Sequence, residues 1–268
     1  MNRIAIIFDF DETLVEESTS AFLNNIGIDV DTFWQKTVQK LILQDWDPVP
    51  AYMYKMIETS IHDEKHITKK QFEEFAKKLV YKNGVKDLFN NLKDYVREHL
   101  QDTEINFFII SSGIGEIIRN SEIAHHFTDI WASDFEYEQN DEIIFPKKIV
   151  SFTDKTRYIF QISKGQIGEN YRAKPYVVNE KTIDKNYHTP IKNMIYIGDG
   201  LTDVPCFSLL RSHEGTAIAV YDAQNTQAYG KAWRFVKDKR VNNLHTANYE
   251  KGSDLYNSII MAIQSVNA

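Results

Sequence analysis

The stretch "IAIIFDFDETL", residues 4–14, decides the fold, because an apolar run passes directly into a group of acidic residues. The run over residues 4–10 lacks the polar alternation of a half-exposed strand and predicts a strand covered on both faces, as in a parallel sheet between helices. It ends in three carboxylates within four positions, at Asp9, Asp11 and Glu12. A buried strand that ends in this much negative charge indicates a bound cation or a role in proton transfer.

Two further apolar runs, at residues 105–110 and 194–197, have the same form and also end in small or acidic residues. Helical patterns follow them at residues 115–127 and 202–210, which is the strand-turn-helix order of α/β proteins. The sequence therefore predicts a doubly wound, Rossmann-like parallel sheet. In such sheets ligands bind at the carboxyl ends of the strands, where the unusual residues lie.

The segment 18–100 has a different character, with amphipathic stretches and no convincing strand, and is predicted to be a helical insertion. Thr68, with Gln71 three positions later, predicts a capping box at a helix start. The Asn83-Gly84 pair predicts a break before another helix. The amphipathic stretches are residues 31–43, 49–60 and 68–81.

The second half of the chain holds fewer regular patterns. Residues 164–190 are polar and irregular, and we expect a hairpin or a surface loop there. A further strand is predicted at residues 216–221 and a closing helix at residues 253–263.

Composition excludes several classes of protein. The 268 residues are 43% hydrophobic, enough for a sizeable core, and the formal net charge of −7 argues against a general nucleic-acid binder or a binder of anionic membranes. Cys206 is the only cysteine, so an internal disulfide and a cysteine-rich zinc site are both excluded. No stretch has the pattern of a signal peptide or the length of a membrane span, and we expect a cytoplasmic protein.

Asp9 and Asp11 lie two positions apart, so their carboxylates stay close whether or not the strand continues through them. Two like charges in a partly dry site raise each other's pKa unless a cation lies beside them. The pair therefore indicates a metal site or a proton-transfer function. The alternative is a pair of solvated acids at the end of a strand, since so short a pattern also occurs without function.

A second acidic group lies in "MIYIGDGLTDVP", residues 194–205, where Asp199 and Asp203 flank a glycine-rich turn that opens a helix. In a parallel sheet this turn would lie at the same edge as Asp9 and Asp11. Up to four carboxylates would then converge, and such an all-oxygen set favours Mg²⁺. The alternative is an ordinary capped helix start, in which the negative charge of Asp203 in the first turn interacts favourably with the helix dipole.

Two other segments indicate an anion site. In "FFIISSGIGEII", residues 107–118, Ser111, Ser112 and Gly113 end a strand before a helix, where backbone N–H groups and hydroxyls favour phosphate, although a plain N-cap serine would look the same. Lys155 stands near the start of a predicted helix, where a cation is unfavourable unless an anion is nearby. The alternative for Lys155 is a solvated surface lysine.

Taken in order, these segments resemble the haloacid dehalogenase superfamily, in particular its phosphatases with an aspartate nucleophile. The motifs are specific jointly rather than singly. They are DxDxT at Asp9, Asp11 and Thr13, a strand-end serine at Ser111, a lysine at Lys155, and GDGxxD with Asp199 and Asp203.

The resemblance implies a role for each residue that would contact the substrate. Asp9 would attack phosphorus and form an aspartyl-phosphate, and Asp11 would protonate the leaving alcohol and then activate water. Thr13 and Ser111 would hold the phosphoryl oxygens. Lys155 would neutralise charge beside the nucleophile.

The resemblance also implies a magnesium site. Mg²⁺ would be held by the side chain of Asp9, the backbone carbonyl of Asp11 and the side chain of Asp199. Asp203 would support this site directly or through water.

The position of the helical insertion resembles the phosphoserine-phosphatase-like members, in which a cap follows the first motif. It implies a cap at residues 16–100 and a catalytic core of residues 1–15 plus 101–268. Ser18 stands where those members place a glutamate for the substrate amine, which argues against phosphoserine. Glu12 stands where glycine is frequent, and the sequence gives it no role.

These observations predict a Mg²⁺-dependent hydrolase of a small phosphorylated metabolite, with a mobile cap that closes over the substrate. Neither a nucleic acid nor a membrane is expected as a partner. The alternatives are a phosphomutase or phosphotransferase of the same superfamily, a glycosyltransferase with a DxD metal site, and a phosphate-sensing module without turnover.

Overall fold

The computed structural model describes residues 2–62, 65–183 and 187–266 and centres on a seven-stranded sheet of order β4-β3-β2-β1-β5-β6-β7. All neighbouring strands are parallel except β4, which runs antiparallel to β3. The predicted α/β fold with a mostly parallel sheet is confirmed. The strands are β1 (Asn2–Phe8), β2 (Thr103–Ile114), β3 (Asp129–Tyr137), β4 (Ile143–Lys148), β5 (Met194–Gly198), β6 (Thr216–Tyr221) and β7 (Asn243–Thr246).

Helices cover both faces of this sheet and form a separate layer beyond the carboxyl ends of its strands. None of the described helices is long and apolar enough to cross a membrane. The helices are α1 (Ser18–Asn25), α2 (Gln39–Ile42), α3 (Pro48–His62), α4 (Lys69–Ala76), α5 (Val85–His99), α6 (Gly115–Arg119), α7 (Asp154–Lys164), α8 (Glu169–Arg172), α9 (Val204–Ser212), α10 (Thr226–Lys237) and α11 (Asp254–Ser265).

The central strand β1 explains why its sequence is apolar at every position. Ile4, Ile6 and Phe8 belong to a hydrophobic cluster with α5 and α11, whereas Ala5 and Ile7 belong to a second cluster with α7, α9 and α10. Both sets are completely buried. Because successive side chains of a strand point to opposite faces, a strand packed on both sides cannot alternate apolar and polar residues.

The segment from α1 to α4 forms a helical unit around a third hydrophobic cluster, which includes Phe22 and Phe72. The predicted capping box is present: Gln71 N–H donates to Thr68 Oγ1 at 3.3 Å, and Thr68 N–H donates to Gln71 Oε1 at 2.8 Å. The predicted stretch 31–43 begins with π-type hydrogen bonds at Thr32–Val38 before α2. No strand forms within the described residues 18–62 and 65–100, as the sequence predicted.

Helix α5 follows the predicted break, because Gly84 adopts φ +78, in the left-handed region that favours glycine. A Cβ at Gly84 would also collide with the backbone of residues 249–250. The apolar face of α5, including Leu88 and Phe89, packs on the sheet cluster that contains Phe8 and Phe107. The boundary between cap and catalytic core at residue 100 stays a prediction. The packing of α5 on the sheet favours assigning this helix to the core.

A β-hairpin formed by β3 and β4 was not predicted. It reaches the helical unit, where Ile143 N–H donates to Ile67 O at 3.0 Å and Lys69 N–H donates to Asp141 O at 2.9 Å. Its Phe135 and Ile143 belong to the same hydrophobic cluster as Phe22. The hairpin therefore joins the edge of the sheet to the helices.

Two predicted elements differ from the structure. The helix expected at 115–127 ends after α6, because the chain turns at residue 120 and continues as a short 3₁₀ turn at Ala124–His126. Within the described part of the segment 164–190, the chain forms α8 and a 3₁₀ turn rather than a hairpin, and residues 184–186 lie outside the described residues.

Candidate active site

A buried lysine between two carboxylates forms the centre of the site. Lys155 Nζ lies 3.0 Å from Asp9 Oδ2 and 2.7 Å from Asp203 Oδ1, and the lysine side chain is completely buried. Burial opposes the charge of Lys155, but the two carboxylates outweigh it and raise its pKa. The lysine therefore stays charged and fixes the position of Asp9, whose Oδ1 accepts from Phe10 N–H at 2.8 Å.

Asp9 sits where β1 ends, and its own N–H donates to Ile197 O of β5 at 2.9 Å. The pKa of Asp9 is raised to about 6, first by burial and then by repulsion from Asp203, against the attraction of Lys155. One lysine does not compensate for the acids gathered here. The remaining negative charge therefore favours the binding of a further cation at this site.

Asp203 uses both of its oxygens within the protein. Besides Lys155, Oδ1 accepts from Tyr196 OH at 2.7 Å, and Oδ2 accepts from Gly200 N–H at 3.1 Å. Its carboxylate also lies against the backbone of Gly198, where any Cβ would collide with it. Asp203 therefore fixes the lysine and the turn after β5, and has little capacity left for direct contact with a ligand.

Asp199 contrasts with Asp203, because its carboxylate makes no hydrogen bond or ion pair with the described residues. Burial, followed by repulsion from Asp203 and Asp9, raises its pKa well above the ordinary value. Ligand atoms of Asp9, Asp199 and Asp203 all lie within 4.8 Å of one another. An oxygen-only set with uncompensated negative charge is what Mg²⁺ prefers, so Asp9 and Asp199 fit as ligands of the metal that the sequence predicted, with Asp203 beside them.

Asp11 lies beside this group, where the chain leaves the sheet toward the helical unit. Its Oδ1 accepts from Ser18 N–H at 2.7 Å. Burial and then repulsion from Glu17 raise its pKa to about 7. Glu17 is itself fixed as the N-cap of α1, because it accepts from the N–H groups of Thr19 and Ser20. A carboxyl group with a pKa near neutrality can both donate and accept a proton.

The loop after β2 faces Asp11. A Cβ at Gly113 would collide with Asp11 Oδ2, so glycine permits the close approach of the loop to the acid. Ser111 Oγ accepts from Gly113 N–H at 3.0 Å, which leaves the hydroxyl hydrogen of Ser111 available to a ligand. From the helical unit, Tyr52 OH donates to Ser112 O at 2.8 Å and covers this loop.

Besides Ser18 Oγ, two buried hydroxyl oxygens at this edge have no hydrogen-bond partner among the described residues: Thr13 Oγ1 and Ser112 Oγ. Buried polar atoms without a partner are costly and indicate that a ligand or water completes them. Both belong to the set that the sequence predicted for the phosphoryl group, together with Ser111 and Gly113.

Glu12, which the sequence left without a role, anchors the loop after β1. It adopts φ +55, and its carboxylate accepts from Glu17 N–H at 3.2 Å and from Lys82 Nζ at 3.1 Å. Lys82 Nζ also lies 3.3 Å from Asp222 Oδ2 at the end of β6. The third acid of the motif thus ties the loop to the chain that returns from the helical unit.

The structure brings the four predicted acids, Lys155 and the serine loop to one edge of the sheet, and the assignment of catalytic and ligand roles among them stays a prediction. Sequence reasoning missed Tyr196 and Glu17 as parts of the site. Tyr196 lies in an apolar strand, where a tyrosine is most simply interpreted as core. Glu17 is a helix cap, and the only sequence signal for it is that it stands one residue before Ser18, where the phosphoserine-phosphatase-like members place a glutamate.

A comparison with protein families matches the haloacid dehalogenase-like hydrolase family over residues 6–208. The chain belongs to this family. The matched segment contains every motif residue from Asp9 to Asp203, so the family resemblance predicted from the sequence is confirmed, and so is the prediction of a hydrolase.

Individual relatives of this haloacid dehalogenase-like hydrolase are distant in sequence. An uncharacterized protein of Borreliella burgdorferi is 29% identical over 290 aligned positions, which cover 98% of this chain and 97% of that protein. The similarity therefore extends over nearly the whole length of both proteins.

Solved structures share the fold of this hydrolase. A phosphoserine phosphatase with an analogue of its phospho-aspartyl intermediate has a TM-score of 0.57 at 13% identity, with 97% of this chain and 99% of that chain covered. A probable phosphoserine phosphatase of Vibrio cholerae has a TM-score of 0.61 at 11% identity, with 99% of this chain and 66% of that chain covered. The predicted fold of the phosphoserine-phosphatase-like members is confirmed.

Proposed function

We propose that this hydrolase is a Mg²⁺-dependent phosphatase that cleaves a small phosphomonoester through an aspartyl-phosphate at Asp9. The observation that carries the proposal is the Asp9 carboxylate, buried at the end of β1 and held by Lys155 and by Phe10 N–H. A carboxylate fixed in this way can be aimed at phosphorus without reorganisation.

Asp11 supplies the proton transfers of both half-reactions. Its pKa of about 7 allows it to protonate the leaving oxygen as Asp9 attacks, and then to take a proton from the water that opens the aspartyl-phosphate. The hydrogen bond from Ser18 N–H holds the carboxyl in place for both steps.

Hydroxyl groups at the same edge of the sheet bind the phosphoryl group. Thr13 and Ser112 carry buried hydroxyls that have no hydrogen-bond partner among the described residues, and the Ser111 hydroxyl is oriented by Gly113 N–H. Lys155 offsets negative charge next to the nucleophile. These groups together offset the repulsion between an anionic substrate and a site rich in carboxylates.

Mg²⁺ would be held by Asp9 and Asp199, with Asp203 supporting the site through Lys155 and the turn after β5. When bound, it neutralises charge on the transferred phosphoryl group. Its requirement is tested by assaying the protein in excess EDTA and after Mg²⁺ is restored. We expect loss and recovery of activity, and an undiminished rate in EDTA would contradict the metal assignment.

The nucleophile is tested by Asp9→Asn, assayed with para-nitrophenyl phosphate. Because the amide cannot form the phosphoenzyme, we expect turnover to fall by about 10³-fold or more. Asp94→Asn is the matched control, since Asp94 is an exposed acid on α5 with only a surface ion pair. Wild-type turnover in a sequence-verified Asp9→Asn protein would contradict the proposal.

Hydrolysis is distinguished from transfer to another alcohol by running the reaction in ¹⁸O-labelled water with excess glycerol. We expect the label in the released phosphate. Glycerol phosphate as the main product would instead identify a phosphotransferase.

A further inference from the structure

A cavity of about 500 Å³ lies beside the edge of the sheet, between β3, the end of β4 and the segment from α7 to α8. This volume is in the range of small-molecule sites. Neither Asp9, Asp11, Lys155 nor Asp199 is among its lining residues. The cavity is therefore a different place from the candidate active site, although α7 contributes to both.

The charge of the cavity has the opposite sign to that of the whole chain. Among the described residues, six lysine or arginine side chains and three carboxylates line it, in a protein of formal net charge −7. Arg119 is neutralised by its ion pair with Asp134. Arg172 lies 3.4 Å from Asp129. Arg157 also pairs with Asp154 at 3.1 Å, Lys147 pairs with Glu136 at 2.6 Å, and Lys69 lies 3.9 Å from Glu116. Lys148 is therefore the lining cation that has no ion pair with the described residues, and its charge favours an anion.

Lys148 is the cation of the cavity whose charge is not balanced by an acid. It makes no ion pair or hydrogen bond with the described residues, and its ammonium group lies 5.3 Å from the centre of the Tyr158 ring. Burial lowers its pKa to about 8, with Arg119 and Arg157 adding to the effect against Asp134. A bound anion would relieve this unfavourable position.

Polar atoms without partners line the same cavity. Gln161 and Gln166 are more than nine-tenths buried, at 7% and 9% exposure, and the Oε1 atom of each has no partner among the described residues. Arg157 Nε is also buried and has no hydrogen-bond partner in the described part of the chain. A buried polar group without a hydrogen bond is unfavourable, so three of them at one cavity indicate that a ligand completes them.

We propose that this cavity is a second ligand site, which binds a small organic anion that also carries hydroxyl or amino groups. Lys148 and the Nε–H group of Arg157 face the anionic group, while the terminal nitrogen of Arg157 stays paired with Asp154. The carbonyl oxygens of Gln161 and Gln166 accept from the hydroxyl or amino groups. Neither a neutral polyol nor a bare inorganic anion meets both requirements.

The proposal is tested by the reactivity of Lys148 toward acetic anhydride, followed by mass spectrometry on the full-length protein in EDTA. The probes are glucose 6-phosphate, 3-phosphoglycerate, AMP and citrate, with glucose, adenosine and inorganic phosphate as incomplete ligands. We expect at least one of the four organic anions to slow acetylation of Lys148 at least fivefold and more than its incomplete counterpart does. Lys86 is the internal control, because it is an exposed lysine paired with Glu122 away from the cavity.

The protecting anion is then titrated by calorimetry. Lys148→Met and Gln161→Leu should each weaken its binding about tenfold, since each removes one hydrogen-bonding group from the site. Lys86→Met, with the same change of charge, should bind as the wild type does. Unchanged acetylation of Lys148 with all four anions would overturn the proposal, and so would equal affinity in Lys148→Met and Lys86→Met.

Discussion

Two lysines of this hydrolase each lie between two carboxylates, in very different surroundings. Lys155 contacts Asp9 and Asp203 in the active-site edge, with the side chains 0–8% exposed. Lys82 contacts Glu12 and Asp222 at 3.1 and 3.3 Å, and those two acids are 39% and 36% exposed. The same chemical arrangement thus occurs once in the interior and once near solvent.

The difference teaches what burial adds to an ion pair. At Lys82, water screens the charges, and exposed pairs contribute about 0–1 kcal/mol. At Lys155, desolvation is costly and is offset only while all three members are present. The interior arrangement is therefore retained for placing Asp9, whereas the outer one only fixes the loop that carries Glu12.

Removal of the interior lysine should give the largest effect. Lys155→Met leaves Asp9 and Asp203 buried without their cation, and we expect the free energy of unfolding at neutral pH to fall by about 3–5 kcal/mol. Chemical denaturation measures this change. A loss below 1 kcal/mol would show that the interior cluster behaves like a surface pair.

The pH dependence should have opposite signs in the two clusters. The folded pKa of Asp9, about 6, lies above its unfolded value of 3.8, so the folded state holds the proton longer and stability falls as the pH rises from about 4 to 6. The span corresponds to on the order of 3 kcal/mol for this buried group. The pKa of Asp222 is lowered by Gln224 N–H and by Lys82, so its contribution is lost as the pH falls through the folded pKa.

The comparison is measured by denaturation of wild type, Asp9→Asn and Asp222→Asn in EDTA between about pH 3 and 7. Relative to wild type, Asp9→Asn should gain stability as the pH rises through the window from about 4 to 6. Asp222→Asn should lose relative stability as the pH rises through the acid range. If the stability of both variants, relative to wild type, changed with pH in the same direction, the two clusters would not differ in the sign of their pH dependence.

The smallest effect is expected for Lys82→Met. Its pairs are partly exposed, so the free energy of unfolding should fall by at most about 1 kcal/mol. Hydrolysis should persist, because Lys82 contacts neither Asp9 nor Asp11. A loss of stability as large as that of Lys155→Met would mean that the anchoring of Glu12 is as critical as the active-site cluster.

The sequence predicted the parts of the fold that local patterns determine. Strands β1, β5 and β6 are continuous apolar runs, and Thr68 and Gly84 mark helix starts through a side-chain cap and a left-handed backbone. The convergence of Asp9 with Asp199 followed from the rule that parallel strands end at one edge. These signals lie within a few residues of the element that they determine.

The parts that were missed depend on contacts between distant segments. The β3–β4 hairpin lacks a strong turn signal, and Phe135 and Ile143 are explained only by the helices that cover them. Tyr196 is linked to Asp203 by a hydrogen bond that no local pattern distinguishes from core packing. Glu12 acquires its role from Lys82, 70 positions away in the chain.

The contribution of the β3–β4 hairpin to the helical unit has a consequence for protein engineering. Phe135 and Ile143 complete the hydrophobic cluster around Phe22 and Phe72, so part of the hydrophobic interior of the helical unit comes from the hairpin. A chimaera that exchanges only the segment between β1 and α5 for that of a relative would leave these two side chains facing a foreign surface. The natural unit of exchange is the helices together with the hairpin.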